Sequence, residues 1–354
     1  MKKQNRIILI SSSTGGHALP IFYIHEELKK EFDLRILHSG SQIERTIFKD
    51  CKSIKILAGK VKRYNYISTA FQLLKSSIGF LESFLVLLFF RPKLIISKGG
   101  FCAVPVLSAA KLLRIPYVAH ESDSFMGVSN RVFAKSAKKM FVGFPLSFYS
   151  DTNLSNLMYS GQIVSVNDRL KRSSKQIIYI TGGSQGAKSI NDIIFEIAPK
   201  LLDRFRIIHQ VGDLDVKQAE QFKDGLSEER RADYDYFNFS IEKSRKSLAE
   251  ADLVISRAGA TTIGEIAALS LASILIPYKY ASGDHQLINA KFLEKSGGAI
   301  MIKEDNLNPK ALLERVEYIL KDKLNAKSIG EKAHKVLKSD GLQSICSYVR
   351  KDLQ

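Results

Sequence analysis

Short apolar runs recur along the chain, each cut off by a polar or glycine-bearing turn. In the first half they are RIILIS, DLRILHS, KLIISKG, YVAHES and KMFVGF; in the second, QIIYITGG, FRIIHQVG, YDYFNF, LVISRAG and SILIPY. Continuous apolar character, rather than strict alternation, predicts strands buried on both faces. Between most of them lies a stretch of helical period, such as NDIIFEIAPKLLDRF, so the strands are predicted parallel, with right-handed helical crossovers. The stretch SDTNLSNLMYSGQIVSVNDRLKRSSKQ is polar and weakly periodic and divides the pattern in two. The fold class expected is therefore α/β, as two Rossmann-like, doubly wound parallel-sheet domains over residues 1–160 and 161–338, set across a cleft. The closing stretch IGEKAHKVLKSDGLQSICSYVRKDLQ reads as two helices broken near Asp340-Gly341, and its last segment, 339–354, is free to pack back on the first domain.

Two strand–helix junctions repeat one design, RIILISSSTGGHALP and QIIYITGGSQGAKS. A glycine loop there lets a ligand approach the backbone, and the helix behind it presents free N–H groups and a positive dipole end to an anion. In Gly182-Gly183-Ser184-Gln185-Gly186-Ala187 a pyrophosphate fits, although no GK[ST] closes a Walker loop and the full GxGxxG spacing is absent. A glycine turn serving only tight packing is the alternative. In Thr14-Gly15-Gly16-His17 the histidine falls at a helix start, which favours the neutral imidazole that a general base needs; capping or packing is the alternative.

Other strand ends carry polar groups: Ser97-Lys98-Gly99-Gly100-Phe101 and His120-Glu121-Ser122-Asp123. Farther on, Ser256-Arg257-Ala258-Gly259-Ala260-Thr261-Thr262-Ile263-Gly264-Glu265 again runs strand, small-residue loop, helix, and a carboxylate at Glu265 can accept two hydrogen bonds from a ribose diol. Gln286, in Asp284-His285-Gln286, offers a donor and an acceptor to sugar hydroxyls, while Asp284 reads as a plain N-cap. Two Asp-x-Asp triplets, at 213–215 and 233–235, read as a helix start and a strand edge, and no His/Cys/carboxylate set has metal-ligand spacing.

Composition sharpens this picture in three places. Three scattered cysteines in 354 residues suit a reducing compartment. The apolar run Ile7–Ile10 is shorter than the ~7–15 residues of a signal peptide core, and no stretch reaches the ~18 of a membrane span. SIGFLESFLVLLFF, 77–90, comes nearest and is interrupted by Glu82. The net charge of +17 is uneven: residues 1–160 hold 23 Lys+Arg against 10 Asp+Glu, leaving +4 for the rest. A basic first half fits an anionic partner, either nucleic acid or a membrane surface, or else a well-solvated surface. Basic and aromatic residues do not interleave as in single-strand nucleic-acid binders, which argues against that partner.

TGGH, SKGGF, HESD, GGSQGA, HQVG, RAGATTIGE and DHQ-x-x-NA, in this order from about residue 6 to about residue 302, resemble the MurG family of peptidoglycan N-acetylglucosaminyltransferases. The resemblance implies the GT-B architecture, and transfer of GlcNAc from UDP-GlcNAc to the 4-hydroxyl of MurNAc on undecaprenyl-pyrophosphate (lipid I to lipid II). It also implies inversion at the anomeric carbon, no metal or other cofactor, and a peripheral position on the cytoplasmic face of the cell membrane. Carried over by motif, Thr14, Gly15 and Gly16 reach the transfer site with His17 the candidate base, and Glu121 and Asp123 are further candidates. Gly183 and Ser184, with Gln185 beside them, meet the donor diphosphate. Ile241 flanks the uracil, Ala260, Thr261 and Thr262 lie on the phosphate side, Glu265 holds the ribose and Gln286 the GlcNAc hydroxyls. The basic first domain would rest on anionic lipid through Phe80 to Phe90, ringed by Lys60, Lys62, Arg63, Arg91 and Lys93; on another face that segment can be a core helix. Two positions depart from the family pattern. Asp123 stands where Asn is frequent, and Ser165 stands where an Arg usually meets the donor phosphate, with Arg169 four residues on as a possible substitute. Competing readings are a glycosyltransferase acting on diacylglycerol, a UDP-GlcNAc 2-epimerase, and a non-catalytic nucleotide-sugar-binding protein.

Overall fold

The computed structural model describes residues 5–60, 66–170 and 175–353. The chain forms two compact units, Met1–Ile163 with Asp340–Gln354, and Val164–Ser339. In the first, the elements run β1 (Arg6–Ile10), α1 (Gly15–Leu28), β2 (Asp33–His38), α2 (Gln42–Ile47), β3 (Ser53–Lys55), α3 (Tyr66–Phe90), β4 (Leu94–Ser97), α4 (Ala103–Leu112), β5 (Tyr117–Glu121), α5 (Val128–Phe133), β6 (Lys139–Val142) and β7 (Leu157–Tyr159). The second runs β8 (Ile177–Thr181), α6 (Lys188–Leu202), β9 (Arg206–Gln210), α7 (Val216–Asp224), α8 (Glu228–Ala232), β10 (Tyr234–Phe237), α9 (Ile241–Glu250) and β11 (Leu253–Ser256). It continues with α10 (Ala260–Ala268), β12 (Ala272–Leu275), α11 (His285–Lys295), β13 (Ile300–Met301), α12 (Pro309–Leu320) and α13 (Lys323–Val336), and α14 (Gly341–Leu353) returns to the first unit.

Both sheets are parallel throughout, in the orders β3-β2-β1-β4-β5-β6-β7 and β10-β9-β8-β11-β12-β13. The strand order reverses direction beside β1 in one sheet and beside β8 in the other. Those are the switch points at which open α/β sheets open a crevice at their carboxyl ends. The two glycine junctions follow these two strands. Ile7 to Ile10, Leu94 to Ile96 and Leu253 to Ile255 are buried on both faces because helices cover both sides. This is why the apolar runs are continuous.

All ten strands expected from the pattern are present. Three very short ones, β3, β7 and β13, are additional, and β7 lies inside the stretch expected to be an irregular connection. The division between units also falls later than residue 160. Gly161 accepts a hydrogen bond from the ring of His120, the Gln162 amide donates to Ser122 O at 2.7 Å, and Ile163 bridges Asp340, all within the first unit. The returning helix α14 buries Leu342, Ile345, Cys346 and Val349. Arg350 on it ties α1 through Glu27 (3.0 Å) and Glu31 (2.7 Å).

Helix α3 has two faces. Leu87 and Phe90 join the core with Val106, Ala109 and Ala110 of α4, whereas Phe71, Leu74, Leu81, Leu85 and Phe89 are exposed. Glu82 is satisfied by the Leu57 N–H at 2.8 Å. By length and composition Phe71–Phe90 is apolar enough to cross a membrane, contrary to the expectation that no stretch is. Lys75, Glu82 and scattered Ser and Gln break the apolar runs without lowering the average enough. Of the basic residues expected around it, Lys60, Arg91 and Lys93 are exposed, while Lys62 and Arg63 lie outside the described residues.

Candidate active site

In the first unit three loops at the carboxyl ends of β1, β4 and β5 interlock. Thr14 is the N-cap of α1, and its hydroxyl lies 2.9 Å from His17 Nδ1. With Gly15 and Gly16 in the first turn, the His17 ring sits over the second loop. A Cβ built on Gly100 would fall 3.3 Å from His17 Nε2 and 2.4 Å from Ser12 Cβ, so only glycine lets the β1 and β4 loops approach this closely. Ser12 Oγ also accepts the Cys102 N–H at 3.4 Å.

The third loop is held from within. Glu121 accepts from Asp123 N (3.1 Å) on one oxygen and from Gly127 N and Asn130 Nδ2 (2.9 Å each) on the other. Burial pushes its carboxyl above the usual carboxylate value, nearby Asp123 adds to the rise, and Lys98 opposes it. Both of its oxygens accept hydrogen bonds from within the loop, so Glu121 shapes that loop. Lys98 is buried, and its ammonium donates to Ser122 Oγ at 2.5 Å; burial lowers its pKa against the pull of Glu121 and Asp123. Asp123 is only half-buried, and its carbonyl accepts the Tyr149 hydroxyl at 2.5 Å.

In the second unit the loop after β8 opens between Gly183 and Gly186, both left-handed (φ of 82° and 76°). A Cβ on Gly183 meets nothing within 4 Å, whereas on Gly186 it would strike the Val211 carbonyl oxygen at 2.3 Å. Gly183 therefore faces open space and Gly186 faces protein. Ser184 is half-buried and Gln185 exposed. The Gly183 carbonyl accepts from Gln210 Nε2 at 2.8 Å, and Gln210 Oε1 accepts from Tyr179 OH (2.8 Å) and Ser244 Oγ (2.6 Å). This chain of bonds links the loop to α9, whose first residue is Ile241, capped by Ser240.

Helix α10 begins with Ala260, Thr261 and Thr262 and carries Glu265 buried in its second turn. Burial pushes that carboxyl up to about 7, with Arg245 of α9 pulling the other way. Asn289 of α11 donates to the Ala258 carbonyl at 3.2 Å and so ties the α11 segment to the loop before α10. Gln286, on the first turn of α11, accepts the Tyr278 N–H at 3.0 Å. Asp284 occupies the N-cap position there but is left-handed (φ 53°) and makes no side-chain cap, contrary to expectation.

Ser165 does not stand alone. Its hydroxyl accepts from Arg245 Nη2, a residue no sequence motif marks. Arg169 is no substitute, since its guanidinium donates to the Ala251 carbonyl at 2.6 Å. Asn130 and Gln162 are likewise positioning groups without a motif, and Gln210, inside HQVG, is one to which the motif assigned no role. The HQVG histidine, His209, is a core residue bonded to Asn191 and Tyr234 (3.0 Å each) and held neutral by burial, with a pKa near 3. Both Asp-x-Asp triplets are engaged by protein groups: Asn191 on Asp215, Lys175 on Asp233, Arg206 on Asp235. Among the described residues no three His, Cys, Asp or Glu side chains gather as a metal site.

The chain matches the glycosyltransferase family 28 N-terminal domain over residues 7–142 and the family 28 C-terminal domain over residues 177–345. It is 31% identical to the UDP-N-acetylglucosamine–N-acetylmuramyl-(pentapeptide) pyrophosphoryl-undecaprenol N-acetylglucosamine transferase of Treponema denticola, over 86% of this chain and 85% of that one. The enzyme of the same name from Coxiella burnetii is 30% identical over 98% of both chains. Among solved structures, the crystal structure of Acinetobacter baumannii MurG superposes with a TM-score of 0.73 at 24% identity, covering 98% of this chain and 99% of the other.

Proposed function

Because the chain belongs to the MurG family of glycosyltransferases, we propose a mechanism in which each unit handles one substrate. The protein is an N-acetylglucosaminyltransferase of peptidoglycan synthesis, moving GlcNAc from UDP-GlcNAc to the MurNAc of the undecaprenyl-pyrophosphoryl acceptor. The diacylglycerol transferase, the epimerase and the non-catalytic reading are not favoured by that kinship.

One observation supports the assignment of residues above the others. In both sheets, the glycine junctions follow the strands at the switch point, and the other motif residues follow the carboxyl ends of further strands of the same sheet. In the second unit, Gly183 offers open backbone and Ser184 a hydroxyl to the donor diphosphate, with Gln185 alongside. Thr261, Thr262 and the free N–H groups at Ala260 approach its phosphate side. Ionised Glu265 accepts the ribose diol, Ile241 flanks the base, and Gln286 reads the sugar hydroxyls.

In the first unit His17 takes the proton of the acceptor 4-hydroxyl. The role requires the tautomer in which Nδ1–H donates to Thr14 Oγ1, 2.9 Å away, and Nε2 accepts the 4-hydroxyl proton. The 4-oxygen attacks the anomeric carbon, the bond to the UDP oxygen breaks with its electron pair leaving on UDP, and the configuration inverts. Asp123 is the second candidate for the base. The Gly15–Gly16 turn at the start of α1 presents N–H groups to the acceptor pyrophosphate.

The first unit rests peripherally on the anionic cytoplasmic membrane surface through Phe71, Leu74, Leu81, Leu85 and Phe89 of α3, with Lys60, Arg91 and Lys93 nearby. The net +13 of residues 1–160, 23 basic minus 10 acidic, suits an anionic partner, and the exposed apolar face of α3 favours a lipid surface over a nucleic acid.

The test is UDP release from UDP-GlcNAc in detergent with EDTA, with and without a lipid I analogue. Acceptor-dependent release with a β-linked disaccharide product is expected. Donor hydrolysis or epimerisation without that product would overturn the reading.

A further inference from the structure

A nucleotide-diphosphate donor brings two phosphate charges, yet none of the residues assigned to it above is cationic, and Glu265 adds a negative charge of its own. Three arginines of the second unit are candidates to supply the positive charge. Arg257 is held by Glu304, Ser189 (2.9 Å) and the Ile276 carbonyl (3.2 Å), and is stacked against Tyr278. Arg169 donates to the Ala251 carbonyl. Arg245 donates to the Ser165 hydroxyl and pulls on the Glu265 carboxyl, so it stands beside both the position where an arginine usually meets the donor phosphate and the carboxylate assigned to the ribose. It stands one helical turn after Ile241, on the same face of α9. Its neighbour Ser244 is joined through Gln210 to the Gly183 carbonyl.

We propose that Arg245 is a donor-binding residue whose guanidinium, steered by the Ser165 hydroxyl, contacts the diphosphate of the nucleotide sugar. This rests on the donor reading above and names the group that supplies its missing positive charge. A guanidinium suits the task because its fork of N–H donors can hold Ser165 with one edge and phosphate oxygens with another. As UDP departs, charge accumulates on its β-phosphate, so a cation fixed there favours the transition state as well as binding.

The experiment is calorimetric titration of the full-length protein with UDP, UDP-GlcNAc and uridine, for the parent chain and for Arg245→Ala, Arg245→Lys and the pair Arg245→Ala with Ser165→Arg. The expected result is a 10- to 100-fold loss of UDP affinity in Arg245→Ala, with uridine affinity changed less than about threefold. Arg245→Lys should recover part of the loss, and the double variant should recover more, by returning a guanidinium to the same spot. Equal weakening of UDP and uridine would assign Arg245 to packing or to Glu265 alone and overturn the inference, as would no weakening of either. A parent chain that binds none of the three ligands would instead overturn the donor reading itself. A thermal melt of each variant separates misfolding from lost contact, and Arg245→Lys keeps the test open where the alanine variant fails to fold.

Discussion

The Thr14 hydroxyl and His17 Nδ1 are 2.9 Å apart across the first turn of α1. Their pairing orients the ring and aims the other ring nitrogen. Replacing His17 with Ala should lower kcat by about 10²- to 10⁴-fold with UDP affinity unchanged. Thr14→Val, which frees the ring without removing it, should cost less. Steady-state kinetics on a soluble acceptor analogue, paired with UDP titration, checks both; a His17→Ala enzyme of near-parental kcat would move the base to Asp123.

Glu265 gives a pH signature of opposite sign in stability and in binding. Its folded value, about 7, lies above the ordinary 4.5. The protonated form therefore favours folding, a contribution fully present below pH 4.5 and lost as pH rises through about 7, of order 3 kcal/mol at most. Glu265→Gln should accordingly raise the melting temperature at pH 8 and change it little at pH 4.5. Ribose recognition needs the ionised form, so UDP affinity of the parent chain should increase through the same pH range and that of Glu265→Gln should be weak and flat. Parallel pH profiles for the two proteins would remove Glu265 from the ribose.

Gly183 and Gly186 separate a ligand-facing position from a packing one. Gly183→Ala places a methyl in open space at the cost of about 1 kcal/mol for the left-handed backbone, so the fold should survive while UDP binding weakens. Gly186→Ala drives its methyl into the Val211 carbonyl at 2.3 Å, so it should lower the melting temperature far more. Thermal melts and UDP titrations on both variants would show the contrast, or its absence.

On α3, Leu81→Glu and Leu85→Glu alter only the exposed face. Sedimentation with vesicles containing anionic phospholipid should show the parent chain bound and the double variant largely free, with unchanged melting. High salt should release part of the parent chain. Binding that persists in the variant would place the membrane contact elsewhere.

Much of this was legible in the residues. Strands buried on both faces announce themselves as unbroken apolar runs, which is why Ile7–Ile10 and Ile177–Thr181 could be placed from pattern alone. Strands of two or three residues, such as Ile300–Met301, carry too few side chains to show any period. Glycine loops and strand-end motifs marked the candidate site because their chemistry is concentrated in adjacent residues. Arg245 and Asn130, and the role of Gln210 inside HQVG, escaped for the converse reason. Each acts on a partner at least nine residues away, and the pairing Arg245 to Ser165 spans 80 positions. The Ser165 departure was visible in sequence as a lost arginine, but its neighbour on α9 emerges only once the chain is folded.

The return of α14 bears on how the molecule is made. A ribosome delivers residues 1–163, then the whole second unit, and only then the helix carrying Ile345, Cys346 and Val349 that the first unit buries. Until that helix emerges, the nascent first unit keeps an oily groove beside α1 uncovered, a target for chaperones and proteases throughout the synthesis of its neighbour. A premature stop shortly before Gly341 would thus injure the earliest-made part of the protein. A tag fused after α14 likewise hangs from the first unit rather than from the second.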